Sequence, residues 1–294
     1  MNSKLKINRL NNKSLTEKSK QWLKKHMNDE FVRKAQKDGY ICRAAYKLIE
    51  IQEKFKLIQK SHNVIELGSS PGGWSQVLTQ IIHNGKIFAI DLLPMKFIHH
   101  KIFFVQGDFV SESEKILEKI NFYKNIMQEV EGAEKKDIIN ENKILSEEEF
   151  SFQKQADIFK NELQSSEIEN IFENNLKDSA IIDQKNIKKE KLFKTSENNF
   201  QINGVLSDMS PNVSGDNKVD HWRILDLLEN AFYFSKKHLA KGGYFIGKIF
   251  FGGEEKEFVK LLKQDFKEVH FFKPDSSRKQ SSEIYIVARH FLKK

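Results

Sequence analysis

Three aspartates, two lysines, one glutamate and a glycine-rich loop are the residues of this chain whose types and spacing suit chemistry. The loop is Glu66-Leu-Gly68-Ser-Ser-Pro71-Gly72-Gly73-Trp74-Ser75, which follows a short apolar run and precedes a helical pattern. Glycines there let the backbone take positive φ and approach a ligand closely. No Gly-Lys-Ser/Thr follows, so the loop is not a Walker A motif, and it lacks the G-x-G-x-x-G spacing of dinucleotide sites. Asp91 ends the next apolar run, 23 residues beyond Gly68. A carboxylate there suits the two hydroxyls of a ribose. Asp108, in Gln106-Gly-Asp-Phe109, ends a third run and suits an adenine amino group. Each aspartate alone reads equally as a helix cap or a turn residue. Together, at the ends of three successive runs, they describe a pocket for an adenosine without phosphates, and S-adenosylmethionine is the commonest such cofactor. Lys248 sits inside the apolar run Gly243–Phe250, where a lysine must reach an end or find a partner.

The elements that must place these residues alternate. Short apolar runs at Asn63–Leu67, Lys86–Asp91, Ile102–Gln106, Gly204–Asp208 and Gly243–Phe250 read as strands. Further strands are expected near Glu268–Phe272 and Glu283–Ala288, and helices over Gln76–Ile82, Arg223–His238 and Glu254–Phe266. The region Ser19–Phe55 is helical in pattern. Strands alternating with helices predict a Rossmann-like α/β fold with a largely parallel sheet and helices on its faces. Residues 112–200 interrupt the rhythm: they hold no proline, one glycine (Gly132), and apolar residues at helical spacing such as Ile116, Leu117 and Ile120. They read as an insertion of helices with disordered connections between the third and fourth strands, a kind of excursion that surface loops accept readily. The expected organisation is a flexible basic arm over 1–20, one core domain over 21–111 and 201–294, and an acidic insertion over 112–200.

With those pieces in order, the chain resembles a known family. Arg43-Ala-Ala-Tyr-Lys47-Leu, GSSPGGWS (68–75), DLLPM (91–95), QGDF (106–109), SDMSPNVSG (207–215), GKIF (247–250) and KPDSSRKQSSEIYIVA (273–288) together resemble the FtsJ/RrmJ (RlmE) family of ribose 2′-O-methyltransferases. The similarity covers about 19–111 and 201–292 and is absent from the insertion. The resemblance implies a class I methyltransferase fold, S-adenosylmethionine as cofactor, and methylation of a ribose in large-subunit (23S-type) rRNA, at a uridine. It implies a catalytic set Lys47, Asp208, Lys248 and Glu283, with Lys248 as proton acceptor and Asp208 also bordering the methionine part of the cofactor. Gly72, Trp74, Asp91 and Asp108 complete the expected cofactor site; no metal is called for. A lysine of ordinary pKa about 10.4 is charged at neutral pH, so a second lysine and partial burial are expected to lower one of the pair. Lys47 and Glu283 taken alone would be ordinary surface charges. A tRNA or mRNA ribose methyltransferase on the same scaffold, or a non-catalytic rRNA-binding assembly factor, are the competing readings.

Composition bounds the rest. The chain has 294 residues, enough for a sizeable core, and no apolar run approaches the ~18 residues of a membrane span. No secretory leader is visible. A single cysteine, Cys42, excludes an intrachain disulfide or a cysteine-built zinc cluster. These features suggest a cytoplasmic protein, expected to be monomeric. The net charge is +8, unevenly spread. Residues 1–47 carry thirteen Lys/Arg against four Asp/Glu, with Trp22, Phe31, Tyr40 and Tyr46 interleaved, a composition suited to an RNA backbone. Residues 111–200 carry fourteen Lys against twenty Asp/Glu. Lysine that is simply abundant, as in many AT-rich genomes, would explain the basic excess equally well. His99, His100 and His221 read as turn or surface histidines without a role, and Pro274–Lys279 as a basic loop, either phosphate-holding or merely solvated.

Overall fold

The computed structural model describes residues 20, 27–121, 201–211, 216–250 and 255–293. The rest of the expected insertion, most of the N-terminal arm and Trp22 of the basic N-terminal region lie outside them. Seven strands form one sheet in the order β3-β2-β1-β4-β5-β7-β6. They are β1 (Asn63–Leu67), β2 (Ile87–Asp91), β3 (Ile102–Gln106), β4 (Ile202–Ser207), β5 (Leu239–Phe250), β6 (Phe266–Phe272) and β7 (Glu283–Phe291). The first five pair in parallel, and β7 pairs antiparallel with both β5 and β6. The largely parallel α/β expectation therefore holds. Central strands are mostly apolar because both faces are covered: four of the five residues of β1 are buried, Glu66 among them.

The helices are set by recognisable ends. Helix α1 (Glu30–Asp38) starts on Asp29, whose carboxylate accepts from the Phe31 and Val32 amides, and stops at Gly39 with φ 78°. Helix α2 (Ala44–Phe55) follows after a short turn, so the single helical region expected over 19–55 is broken there. Helix α3 (Gly73–Ile81) begins at the glycine loop. Helix α4 (Asn217–His238) is capped by Asp216, and α5 (Lys256–Asp265) links β5 to β6. A helical stretch over 113–121 follows β3, and its Ile116 and Ile120 are each 1% exposed. The helical spacing expected there is thus present up to the last described residue.

One expectation is corrected here. His221 is buried in the first turns of α4, 7% exposed, rather than a surface histidine. It shares the inward side of the helix with Asp220, also buried. His99 and His100 lie in the turn before β3, their rings stacked at 4.2 Å.

Candidate active site

Parallel strands end together, and the topology uses that edge. Asp208 follows β4 directly, and Lys248 is two residues from the end of β5. Strand β7 runs the opposite way, so its first residue, Glu283, pairs with Phe250 at the same edge. Helix α2 brings Lys47 over it. These four residues, scattered over the sequence, form one network. Lys47 Nζ lies 2.8 Å from Glu283 Oε1 and 3.8 Å from Asp208 Oδ1. Lys248 Nζ lies 3.0 Å from Asp208 Oδ1 and donates to the Asp208 carbonyl at 2.6 Å. Lys47 and Lys248 are only 9% and 6% exposed.

Tyr285 joins them and was missed in the sequence. Its hydroxyl donates to Asp208 Oδ1 at 2.6 Å, and its ring lies 5.7 Å from the Lys47 ammonium. The signal was available: residues i and i+2 of a strand share a face, so Tyr285 stands beside Glu283, and the register sets it opposite Lys248.

Electrostatics within the network follow from burial and pairing. Burial alone would raise the Asp208 carboxyl, but the ammonium groups of Lys248 and Lys47 and the Tyr285 hydroxyl outweigh it and hold it below the usual carboxylate range. Burial likewise works to lower Lys47, yet Asp208 and Glu283 beside it raise it above its ordinary value. Of the two lysines, Lys47 is therefore not the one lowered by burial and a neighbouring lysine, because two carboxylates face it. Burial and Asp208 push the Tyr285 phenol well above its usual value, so it remains a donor.

The glycine loop lies at the same edge. Gly68 (φ 76°) packs so closely that a Cβ would sit 2.5 Å from Met209 Cγ and 3.0 Å from the Met209 backbone. Gly72 (φ 113°) starts α3 with no side-chain cap. Asp91 holds the loop from outside: Oδ2 accepts the Ser70 amide and Oδ1 the Leu93 amide, both at 2.8 Å. Asp108 accepts from the Val110 amide and the Ser111 hydroxyl of its own turn. The Trp74 ring is buried against Tyr285, and its indole donates to the Ala44 carbonyl, so this side chain ties α3 to α2. The structure thus brings Gly72, Asp91 and Asp108 to the strand ends, while the Trp74 side chain faces the core. Ser69 is 2% exposed, and its hydroxyl has no hydrogen-bond partner among the described residues. A buried donor of that kind within a glycine cradle, flanked by carboxylates with lone pairs to spare, fits a polar, hydroxyl-bearing ligand.

Under the loop, Glu66 on β1 is 2% exposed and accepts the Ser75 hydroxyl. Burial pushes its carboxyl up to about 8, with Asp208 and Asp91 adding to the rise and Ser75 opposing it. The folded state keeps this proton at neutral pH, whereas the unfolded chain releases it near the ordinary glutamate value. Its contribution to stability is complete below that value and is lost as pH rises through about 8. Glu66→Gln is expected to flatten this dependence, removing a slope of up to ~1.4 kcal/mol per pH unit between about pH 5 and 8. Urea midpoints against pH would check it; parallel curves for the two proteins would show that Glu66 does not carry the proton.

Beside Glu283 an open cleft of about 860 Å³ is lined by Asp29, Arg43, Ser277, Arg278 and Lys279, among others. The basic residues of the 274–279 loop face this cleft. Among the described residues no helix is long and apolar enough to cross a membrane.

Comparison with known proteins agrees with this architecture. Residues 40–291 match the FtsJ-like methyltransferase family. The ribosomal RNA large subunit methyltransferase E of Coxiella burnetii is 36% identical over 275 residues, covering 93% of this chain and 96% of that protein. The protein of the same name from Rickettsia rickettsii is 34% identical over 282 residues, covering 94% and 90%. Among solved structures, a ribosomal RNA methyltransferase from Plasmodium falciparum superposes with a TM-score of 0.53 at 24% identity, over 87% of this chain and 100% of that one.

Proposed function

Since the chain belongs to the FtsJ-like methyltransferase family, we propose that it methylates a ribose 2′-hydroxyl, that of a uridine, in large-subunit ribosomal RNA. The observation that carries this reading is the contact network of Lys47, Asp208, Lys248 and Glu283 at the carboxyl edge of the sheet. S-adenosylmethionine, when bound, would supply the methyl group. Gly68–Gly73, Ser69, Asp91 and Asp108 are the residues that would hold it, with Asp208 at the border with the acceptor.

Lys248 suits proton acceptance for a simple counting reason. A neutral amine has two N–H donors and one lone pair. The Asp208 carbonyl and carboxylate take two of the three N–H groups of the resting ammonium; once the third proton has passed to solvent, the lone pair left in its place takes the hydroxyl proton. Lys47 instead stays charged between two carboxylates. It neutralises Asp208 and fixes Glu283, so the site keeps its shape while the proton moves. Such positioning and proton transfer together supply most of the acceleration expected of the protein. The cleft with Arg43, Arg278 and Lys279 supports an RNA backbone as the acceptor. The 112–200 segment, acidic overall, is proposed to stand outside RNA binding, as an insertion in the 21–111 and 201–294 core.

The test is transfer of tritiated methyl from S-adenosylmethionine to large-subunit rRNA, free and in particles, followed by nuclease mapping. Label in tRNA but not in rRNA, or label on bases rather than on a ribose, would refute the reading. Asp91→Ala is expected to weaken cofactor affinity by about 10- to 100-fold, since one good hydrogen bond to a charged group is worth ~1.5–3 kcal/mol. Isothermal titration reads this directly, and an unaltered dissociation constant would remove Asp91 from the cofactor site.

A further inference from the structure

The loop between β6 and β7 delivers Glu283 to the site, and one face of α2 holds that loop. Glu50 lies one turn beyond Lys47. Its carboxylate accepts the backbone amide of Asp275 at 2.5 Å and that of Ser276 at 3.0 Å. Arg43, one turn before Lys47, donates to the Ser276 carbonyl and pairs with Asp29. Positions 43, 47 and 50 are neighbours on a helix, so the helix that carries Lys47 also grips residue 276 from both sides. The next residue, Ser277, is 4% exposed. Its hydroxyl donates at 2.8 Å to Glu283 Oε1, the same oxygen that lies 2.8 Å from Lys47 Nζ. The Glu283 amide meanwhile donates to the Ser281 hydroxyl. A plain turn cap would account for Glu50 on two consecutive amides. It would not account for a buried hydroxyl turned inward onto the carboxylate that holds Lys47.

We infer that Glu50 and Ser277 are positioning residues for methyl transfer: Glu50 fixes the loop, and Ser277 fixes the Glu283 carboxylate on Lys47. This rests on the reading of Lys47, Asp208, Lys248 and Glu283 as the reacting centre. A glutamate side chain has several staggered conformers. Without the Ser277 hydroxyl, Glu283 is free to leave Lys47 for the open cleft, and displacement of a site group by ~1 Å costs on the order of 10²-fold in rate.

The test compares the full-length protein with Ser277→Ala, Ser277→Thr, Glu50→Ala and Glu50→Gln. Three quantities are read: methyl transfer to large-subunit rRNA, S-adenosylmethionine affinity by calorimetry, and the titration of the Lys47 ammonium by nitrogen-15 NMR in the free protein. The two alanine variants are expected to lose about 10- to 100-fold in kcat, with cofactor affinity and KM for RNA changed by no more than about twofold. Ser277→Thr, which keeps the hydroxyl, restores most of the rate, and Glu50→Gln, which keeps one acceptor, falls between. In the alanine variants Lys47 titrates at lower pH than in the wild type, because a carboxylate that favours its charge is no longer held against it. Wild-type kcat in both alanine variants would overturn the inference. So would parallel losses of rate, cofactor affinity and melting temperature without rescue by threonine. Should the wild type transfer no methyl to rRNA, the functional reading fails, while the Lys47 titration still decides whether Ser277 and Glu50 position Glu283: an unmoved Lys47 would overturn it.

Discussion

Lys248→Ala is expected to lower kcat for methyl transfer by about 10²–10⁴-fold, the usual contribution of a positioned general base, with S-adenosylmethionine affinity unchanged. The side chain is 6% exposed and its amine meets Asp208 at both the carbonyl and the carboxylate. Both of those contacts are with Asp208 rather than with the glycine loop. Two roles for a cation at this place are separable. Lys248→Arg keeps the positive charge beside Asp208 but presents no lone pair, because guanidinium remains protonated at any working pH. If Lys248 accepts the proton, the arginine variant is as inactive as the alanine variant. If it acts only by its charge, arginine retains much of the rate. Filter-bound tritium from labelled cofactor measures both, and calorimetry confirms that the cofactor still binds. Near-wild-type turnover by either variant would remove Lys248 from the reaction.

Strands β1 to β4 were legible in the sequence because each is a short apolar run that stops at a glycine or an aspartate. Strand β1 has the expected bounds, Asn63–Leu67. The departures have local physical causes. Strand β5 begins at Leu239 rather than Gly243, since Gly242 takes φ 83° and lets the chain bend within the strand, where the pairing with β4 shifts register. Helix α3 begins at Gly73, three residues before the apolar spacing becomes helical, because the loop needs glycine where helix propensity would prefer another residue. Helix α4 begins six residues before its expected start, capped by an aspartate in a polar stretch. Within the site, Lys47 and Glu283 were legible only through family resemblance: each is an ordinary charge in its own segment, and their ion pair spans 236 residues of sequence. The contact of Glu50 with Ser276 spans 226 residues and has no local signal at all. Tyr285 is the one omission that strand periodicity alone would have repaired.

Asp208→Ala is expected to abolish methyl transfer and also to destabilise the fold, a combination that sets it apart from Lys248→Ala. The carboxylate is the common partner of Lys248, Lys47 and Tyr285, all within 3.8 Å. Without it, two buried amines face each other with Glu283 as the remaining anion. Removing one member of a buried charge pair costs ~3–5 kcal/mol, a large fraction of the usual net stability of a domain. The pH dependence gives a second signature. Asp208 is held below the ordinary carboxylate value, so its contribution is complete above that value and is lost as pH falls through its own lower one. Lys47 is held above its ordinary value, so its contribution is complete below that value and is lost as pH rises through its own higher one. The network therefore supports the fold evenly across the neutral range and fails at both extremes. In Asp208→Ala the acid arm of this plateau disappears and the alkaline arm shrinks, because only Glu283 still favours the Lys47 charge. Asp208→Asn keeps an acceptor of the same shape and is expected to recover part of the stability but none of the rate, since a neutral amide does not balance two lysines. Urea midpoints from pH 3 to 11 on the three proteins, with methyl transfer measured at neutral pH, distinguish these outcomes. An alanine variant as stable as the wild type at neutral pH would mean that solvent or a rearranged Glu283 replaces Asp208 at little cost, and that the buried network is not what holds this edge of the sheet together.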